Sequence, residues 1–212
     1  MIKKNIYIIS AGCGNKEYLT LKAVRTVEKM DYLIGPERFK DFFPQKKYII
    51  TKKVVEHTVK IIENDVENLI GVIVSGDAGF FSLAKILYKK FSGRIAEVVP
   101  GISSMQAAMA KLCKSYENME FFSIHGRDND TLELLKEKIS FCLNFNHNLY
   151  ILCDNSNSAL EILKKNIYLI DKFRVFVVND VGMDTEKIVE VVSLERIEQE
   201  SLNLHALYLE VK

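Results

Sequence analysis

The chain has no tryptophan, only three prolines, no surplus of either charge and no long apolar run. Each shortage excludes something. Lysine and arginine total 29 against 28 acidic residues, a net charge of +1, and no basic run exceeds two residues. No global field or basic stripe is therefore present to track a nucleic-acid backbone. The four cysteines, Cys13, Cys113, Cys142 and Cys153, form no C-x-x-C pair and have no histidine at metal-ligand spacing, so they read as reduced thiols in a cytoplasmic protein without a bound metal. The apolar run Ile6 to Ile9 is too short for a signal-peptide core, and no segment approaches the ~20 residues that span a bilayer. What the chain does have is 48% hydrophobic residues, ample for packed cores, and ten glycines, most of them just after apolar runs.

Short apolar runs alternate with amphipathic stretches, the pattern of βαβ units around mainly parallel or mixed sheets flanked by helices, an α/β fold. Strands are expected at Ile6–Ser10, Tyr32–Ile34, Lys47–Ile50, Ile70–Val74 and Arg94–Val98, then at Glu120–Ile124, Asn148–Leu152, Arg174–Val178, Lys187–Val192 and His205–Val211. Between them, Val59, Ile62, Val66 and Leu69 recur at helical spacing, as do Leu132, Leu135, Ile139 and Leu143, and a helix follows near Ala159–Asn166. The helix Ser103–Leu112 is rich in alanine and methionine. After it, Cys113 to Asn118 turns polar and loses periodicity. Two domains are therefore expected, 1–113 and 118–212.

Three loops carry the chemistry. Ser75-Gly76-Asp77-Ala78-Gly79-Phe80-Phe81-Ser82 follows the apolar run Leu69 to Val74, placing a carboxylate between two glycines at a strand's carboxyl end. Open α/β sheets bind small molecules at such ends, and glycines let backbone N–H groups approach a ligand. A simple helix-capping role for Asp77 is the alternative. Pro100-Gly101-Ile102-Ser103-Ser104 repeats the arrangement after the next strand. Gly12-Cys13-Gly14-Asn15 follows the first strand, but Glu17 stands where a dinucleotide fingerprint has its third glycine, which argues against a nicotinamide site. A tight turn with Thr20 or Asn15 capping a helix is the alternative there.

These loops in this order, with Gly12 to Ala23 as the first, resemble the tetrapyrrole methylase family of S-adenosylmethionine-dependent enzymes. The resemblance continues through Leu152 to Asn157 and Asn179 to Ile188. It implies two α/β domains with a ligand cleft between them, usually in a homodimer. It also implies S-adenosylmethionine as co-substrate, contacted by Ser75, Gly76, Asp77, Phe80, Ser103 and Ser104, with Leu152 and Val181 near its adenine. Gly12 and Gly14 fall on the acceptor side. Gly35-Pro36-Glu37-Arg38-Phe39 and Ser123-Ile124-His125-Gly126-Arg127 resemble the members acting on C5 of a cobalt-precorrin (cobalt-precorrin-7) in anaerobic cobalamin biosynthesis. A separate decarboxylating precorrin methylase is then an expected functional associate. The acceptor carries several carboxylates, which arginine binds through bidentate charge-assisted bonds, so Arg38 and Arg127 are the expected clamps. His125 is the candidate for moving a proton near neutral pH, or for anchoring a carboxylate. Ser10, Cys13, Asn15 and Ala78 depart from the family pattern, which has glycine, proline, aspartate and proline there. The fold also serves other corrin positions, an elongation-factor histidine derivative and ribosomal RNA, and a non-catalytic corrinoid or nucleotide sensor is a reading of a different class.

Overall fold

The computed structural model describes residues 3–124, 131–153, 159–166, 168–192 and 205–212. The chain divides into two compact units, Met1–Ser104 and Met105–Lys212. In the first, β1 (Ile6–Ser10), β2 (Tyr32–Gly35), β3 (Tyr48–Ile50), β4 (Ile70–Val74) and β5 (Ile95–Val99) alternate with α1 (Leu21–Glu28), α2 (Val54–Asn64) and α3 (Ala84–Phe91). A 3-10 segment, Glu37–Phe42, joins β2 to β3. The sheet is parallel throughout, in the order β3-β2-β4-β1-β5.

Strand β4, Ile-Gly-Val-Ile-Val, is buried along its whole length between β2 and β1, as expected of a parallel strand covered on both faces. Side chains alternate across the sheet. Ile6, Ile8, Ile34, Val72 and Val74 pack with Ile62 of α2 and Ala84, Leu87 and Phe91 of α3. Ile9, Leu33, Ile73 and Val99 pack on the other face with Ala23 and Val27 of α1 and Phe39 and Phe43 of the 3-10 segment and its end. Helix α1 is capped by Thr20, whose hydroxyl accepts from the Ala23 N–H at 3.1 Å. The helix after the Asp77 loop starts only at Ala84, because Phe81 sits at φ +48° and interrupts the helical path before it.

The second unit contains α4 (Ser104–Leu112), which starts at the boundary, β6 (Met119–Ser123), α5 (Thr131–Phe145), β7 (Asn148–Leu152), α6 (Ala159–Lys165), α7 (Leu169–Lys172), β8 (Phe173–Asn179), β9 (Lys187–Val191) and β10 (His205–Val211). Its sheet is mixed, β6-β7-β10-β8-β9, with β6 and β7 parallel and β10 antiparallel to both β7 and β8. One face carries the core of Ile151, Val175, Val177, Leu207 and Leu209 under Leu135 and Ile139 of α5. Across the other, Phe121, Tyr150, Tyr208 and Phe176 stand side by side on neighbouring strands, and Tyr208 stacks on Phe176 with ring centroids 5.6 Å apart. Arg174 forks onto Glu190 and reaches Glu210, which Lys114 also pairs with.

All ten expected strands are present within one residue of their expected ends. Helix α4 is grouped with the second unit, whereas its sequence placed it with the first. Its Met105, Ala107, Ala108 and Met109 are all buried, and small apolar residues leave no polar face from which to read its packing side. The four-residue α7 has no sequence periodicity to announce it.

At the amino end of the first sheet, Arg94 forms a knot. Its guanidinium donates to Asn5 Oδ1 at 3.0 and 3.1 Å and to the Ile62 and Asp65 carbonyls that end α2, and Asn5 is fully buried. Removing such charge-assisted bonds costs about 1.5 to 3 kcal/mol. Arg94→Met is therefore expected to lower the unfolding free energy by that margin, seen as a lower urea midpoint at an unchanged slope; an unaltered midpoint contradicts the knot. Beside it, the Asn68 backbone N–H and side-chain amide hold Asp65 at about 2, below its ordinary 3.8. A carboxyl whose folded value is depressed contributes stability that is present above 3.8 and lost as pH falls toward 2. Asp65→Asn is expected to flatten stability against pH in that acid window, as read by urea unfolding at several pH values.

Candidate functional site

Chain direction selects one end of the first sheet. The links β1 to β2 and β2 to β3 move one way across the face packed by α1, while β3 to β4 and β4 to β5 move the other way across the face packed by α2 and α3. The neighbours β1 and β4 thus send their following segments to opposite faces. A crevice opens where such connections diverge, at the strands' carboxyl ends. The 3-10 and α1 approach, the Ser75 loop and the Pro100 loop all begin there.

Backbone joins the first two loops. Ala11 N–H donates to the Val74 carbonyl at 2.8 Å, Gly12 N–H to the Gly76 carbonyl at 3.2 Å and Gly76 N–H to the Gly12 carbonyl at 2.9 Å. Gly12 and Gly76 sit at φ +73° and +63°, a region other residues enter only with strain. A side chain on Gly12 would also come within 2.4 Å of the Tyr18 carbonyl oxygen.

Asp77 joins the second loop to the third. One carboxylate oxygen accepts from Gly79 N–H at 2.8 Å and the other from Gly101 N–H at 2.8 Å. The residue is therefore a brace between the two loops as well as a charge beside them, and it does not cap a helix. Ser103 is buried, with its Cα 3.6 Å from where a Cβ on Gly76 would lie, and Ser104 begins α4. Phe80 packs edge-on against Phe81 at 5.0 Å. Ser75, Gly76, Asp77, Phe80, Ser103 and Ser104 thus gather at one sheet end. Ser75 is exposed and Gly76, Asp77, Phe80 and Ser104 are half-buried, while Ser103 is buried beneath them, so polar backbone and hydroxyl groups at this end lie within reach of a small ligand.

Arg38 belongs to the same end. It lies in the 3-10 segment after β2, donates to the Ser75 hydroxyl and covers the Phe39 ring at 4.7 Å. Burial pushes the Tyr48 phenol up, and the Arg38 charge opposes that shift. Asn15 caps the 3-10 turn Lys16–Tyr18 through the Glu17 N–H, leaving Gly12 and Gly14 as the loop's bare backbone. In the second unit, Leu152 ends β7 and Val181 follows β8 beside Asp180, which takes φ +45°. Asp180 accepts from Asn179 Nδ2 and the Thr185 hydroxyl, while the buried Asn179 Oδ1 has no hydrogen-bond partner among the described residues. His125 and Arg127 lie outside the described residues.

Sequence reasoning gave Ser10 no site role; its hydroxyl accepts from the Ala78 N–H at 2.9 Å, and its departure from the family pattern was the signal. A cavity of about 440 Å³ lined by Asp31, Tyr32, Lys47, Asp65 and Asn68 opens at the opposite sheet end. Its carboxylates are engaged by Tyr32, Asn68 and the Glu67 and Leu69 amides. Among the described residues, no three His, Cys, Asp or Glu gather as a metal site requires, and no helix is long and apolar enough to cross a membrane.

The family model of Tetrapyrrole (Corrin/Porphyrin) Methylases matches residues 5–198. A probable cobalt-precorrin-7 C(5)-methyltransferase of Methanocaldococcus jannaschii is 35% identical over 150 residues, 66% of this chain and 71% of that protein. A probable cobalt-precorrin-2 C(20)-methyltransferase of the same organism is 26% identical over 85% of this chain and 91% of that protein. Among solved structures, a cobalamin biosynthesis precorrin-6Y methylase of Archaeoglobus fulgidus superposes with a TM-score of 0.74 over 99% of both chains at 22% identity.

Losing the Asp77 brace removes two charge-assisted bonds. Asp77→Ala is expected to raise the dissociation constant of S-adenosylhomocysteine roughly ten- to a hundredfold. Asp184→Ala, in an exposed turn of the second unit, should leave it unchanged. Calorimetry giving equal affinities for both variants removes Asp77 from the site.

Proposed function

The chain belongs to the tetrapyrrole (corrin/porphyrin) methylase family, and on that premise we propose that this S-adenosylmethionine-dependent methyltransferase methylates C5 of a cobalt-precorrin, cobalt-precorrin-7, in cobalamin biosynthesis. The observation that carries the donor half is the convergence of the Gly76-Asp77 and Gly101-Ser103 loops on one sheet end through Asp77. The higher identity to the C5 relative than to the C20 relative supports the acceptor half. On this reading Ser75, Gly76, Asp77, Phe80, Ser103 and Ser104 hold the donor, and Leu152 and Val181 contact its adenine. Gly12, Gly14, Arg38 and Arg127 serve the acceptor, and His125 stands beside the ring. A cytoplasmic homodimer, working with a separate decarboxylating precorrin methylase, completes the proposal.

The donor supplies an activated sulfonium methyl group. The acceptor carbon provides the electron pair of the new C–C bond, the S–CH3 pair stays on sulfur to give neutral S-adenosylhomocysteine, and the positive charge passes to the macrocycle until a proton leaves. The protein's work is alignment. Holding the carbon in line with the methyl group at roughly 3 to 3.5 Å supplies ~7 to 11 kcal/mol of the barrier. With a net charge of only +1, attraction for a polyanionic acceptor falls to local cations. Arg38 is one, and its bond to Ser75 ties that cation to the donor loop.

Two tests follow from this. Incubation with isotopically labelled methyl donor and a pool of cobalt-precorrins is expected to place the label on C5, read by NMR of the product. A label on another ring carbon retires the C5 assignment and leaves the methyltransferase intact, whereas no formation of S-adenosylhomocysteine contradicts the whole reading. In addition, Arg127→Ala should lower acceptor kcat/KM roughly ten- to a hundredfold at unchanged donor affinity. Arg38→Ala should weaken both ligands, because it also releases Ser75.

A further inference from the structure

Ser10, the last residue of β1, is fully buried and lies between the two strands whose loops form the site. It touches both loops. Its Oγ accepts the Ala78 N–H at 2.9 Å, and its Cβ lies 2.4 Å from where a Cβ on Gly101 would stand, so it packs against the bare backbone of the third loop. Ala78 itself is 3% exposed, so its N–H has no water to turn to. Asp77, the next residue back, carries the bonds to Gly79 and Gly101.

We propose that Ser10 is a positioning residue for the methyl donor: its hydroxyl satisfies the buried Ala78 N–H and thereby fixes the Gly76–Ala78 backbone against Gly101. This rests on the reading that those loops hold the donor. A buried amide left without an acceptor carries a desolvation penalty that the loop relieves only by moving toward water. Any such movement drags Asp77 with it, and the spacing between the donor loops changes although neither loop has lost a residue. The need for Ser10 arises wholly from the N–H at position 78. A residue lacking that N–H removes the need, and proline is the one that lacks it.

The test is a cycle of four proteins: the unaltered chain, Ser10→Ala, Ala78→Pro and the double variant. Alanine keeps the Cβ packed on Gly101 and deletes only the hydroxyl. For each, calorimetry gives the S-adenosylhomocysteine dissociation constant, acceptor kinetics give KM, and hydrogen exchange of the Ala78 amide is followed in the two proteins that possess it. Ser10→Ala is expected to weaken donor binding roughly five- to a hundredfold with acceptor KM unmoved and Ala78 exchange accelerated, and the double variant is expected to bind the donor more tightly than Ser10→Ala alone. Unchanged donor affinity and a still-protected amide in Ser10→Ala overturn the proposal. So does a double variant whose loss equals the two single losses combined, since independent sites add. Should Ala78→Pro fail to fold, the exchange rate and affinity of Ser10→Ala decide alone. If the unaltered protein binds no donor while Ala78 exchange still depends on Ser10, the methyl-donor reading fails, and the positioning role with it, although the bond between strand and loop is real.

Discussion

The site depends on one carboxylate bonded to two backbone amides. Asp77 accepts from Gly79 within its own loop and from Gly101 after the next strand but one in the sheet order, each at 2.8 Å. Loops alone have no reason to keep a fixed separation. Here β4 and β5 flank β1; the gap between their following segments is closed by Asp77 and by Ser10 from below, and the paired backbone of Gly12 and Gly76 joins the loop after β1 to the loop after β4. Charge-assisted bonds are stronger than neutral ones and fix direction as well as distance. A carboxylate is therefore well suited to set the geometry of a site that works by alignment.

The same logic explains the division of labour in the first unit. A parallel sheet leaves its amino and carboxyl ends chemically different. The amino end is a closed knot of Arg94, Asn5, Asp65 and Tyr32, in which almost every polar group already has a partner within the protein. The carboxyl end exposes glycine backbone, serine hydroxyls and the Arg38 guanidinium. Internally paired polar groups thus gather at one end and exposed backbone and hydroxyl groups at the other, the end at which sheets of this class hold their ligands.

Much of this was legible in the sequence. The strands announced themselves because runs such as Ile70 to Val74 and Phe173 to Asn179 are β-branched and aromatic and end in turn residues. The loops were legible because glycine and serine follow those runs directly. Asp77 was visible as a carboxylate, but its partners lie 2 and 24 residues away, and only the folded sheet brings Gly101 to it. Ser10 and Ala78 were readable only as two unrelated departures from a family pattern, 68 residues apart; the structure makes them one hydrogen bond. Helix α4 was legible as a helix, but not the unit it groups with, because methionine and alanine pack equally well on either side. The 3-10 segment Glu37–Phe42 has no apolar period, although its placement is what brings Arg38 to Ser75.

The central claim is that the loops after β4 and β5 hold the methyl donor. Amide chemical-shift mapping with S-adenosylhomocysteine tests it without any assumption about the acceptor. The account predicts that the largest shifts fall on Gly76, Gly79, Gly101 and Ser103, with small ones at the amino end of the sheet. Shifts concentrated instead around Asp31, Asp65 and Asn68, which line the cavity at that opposite end, or no shifts at saturating ligand, would contradict it.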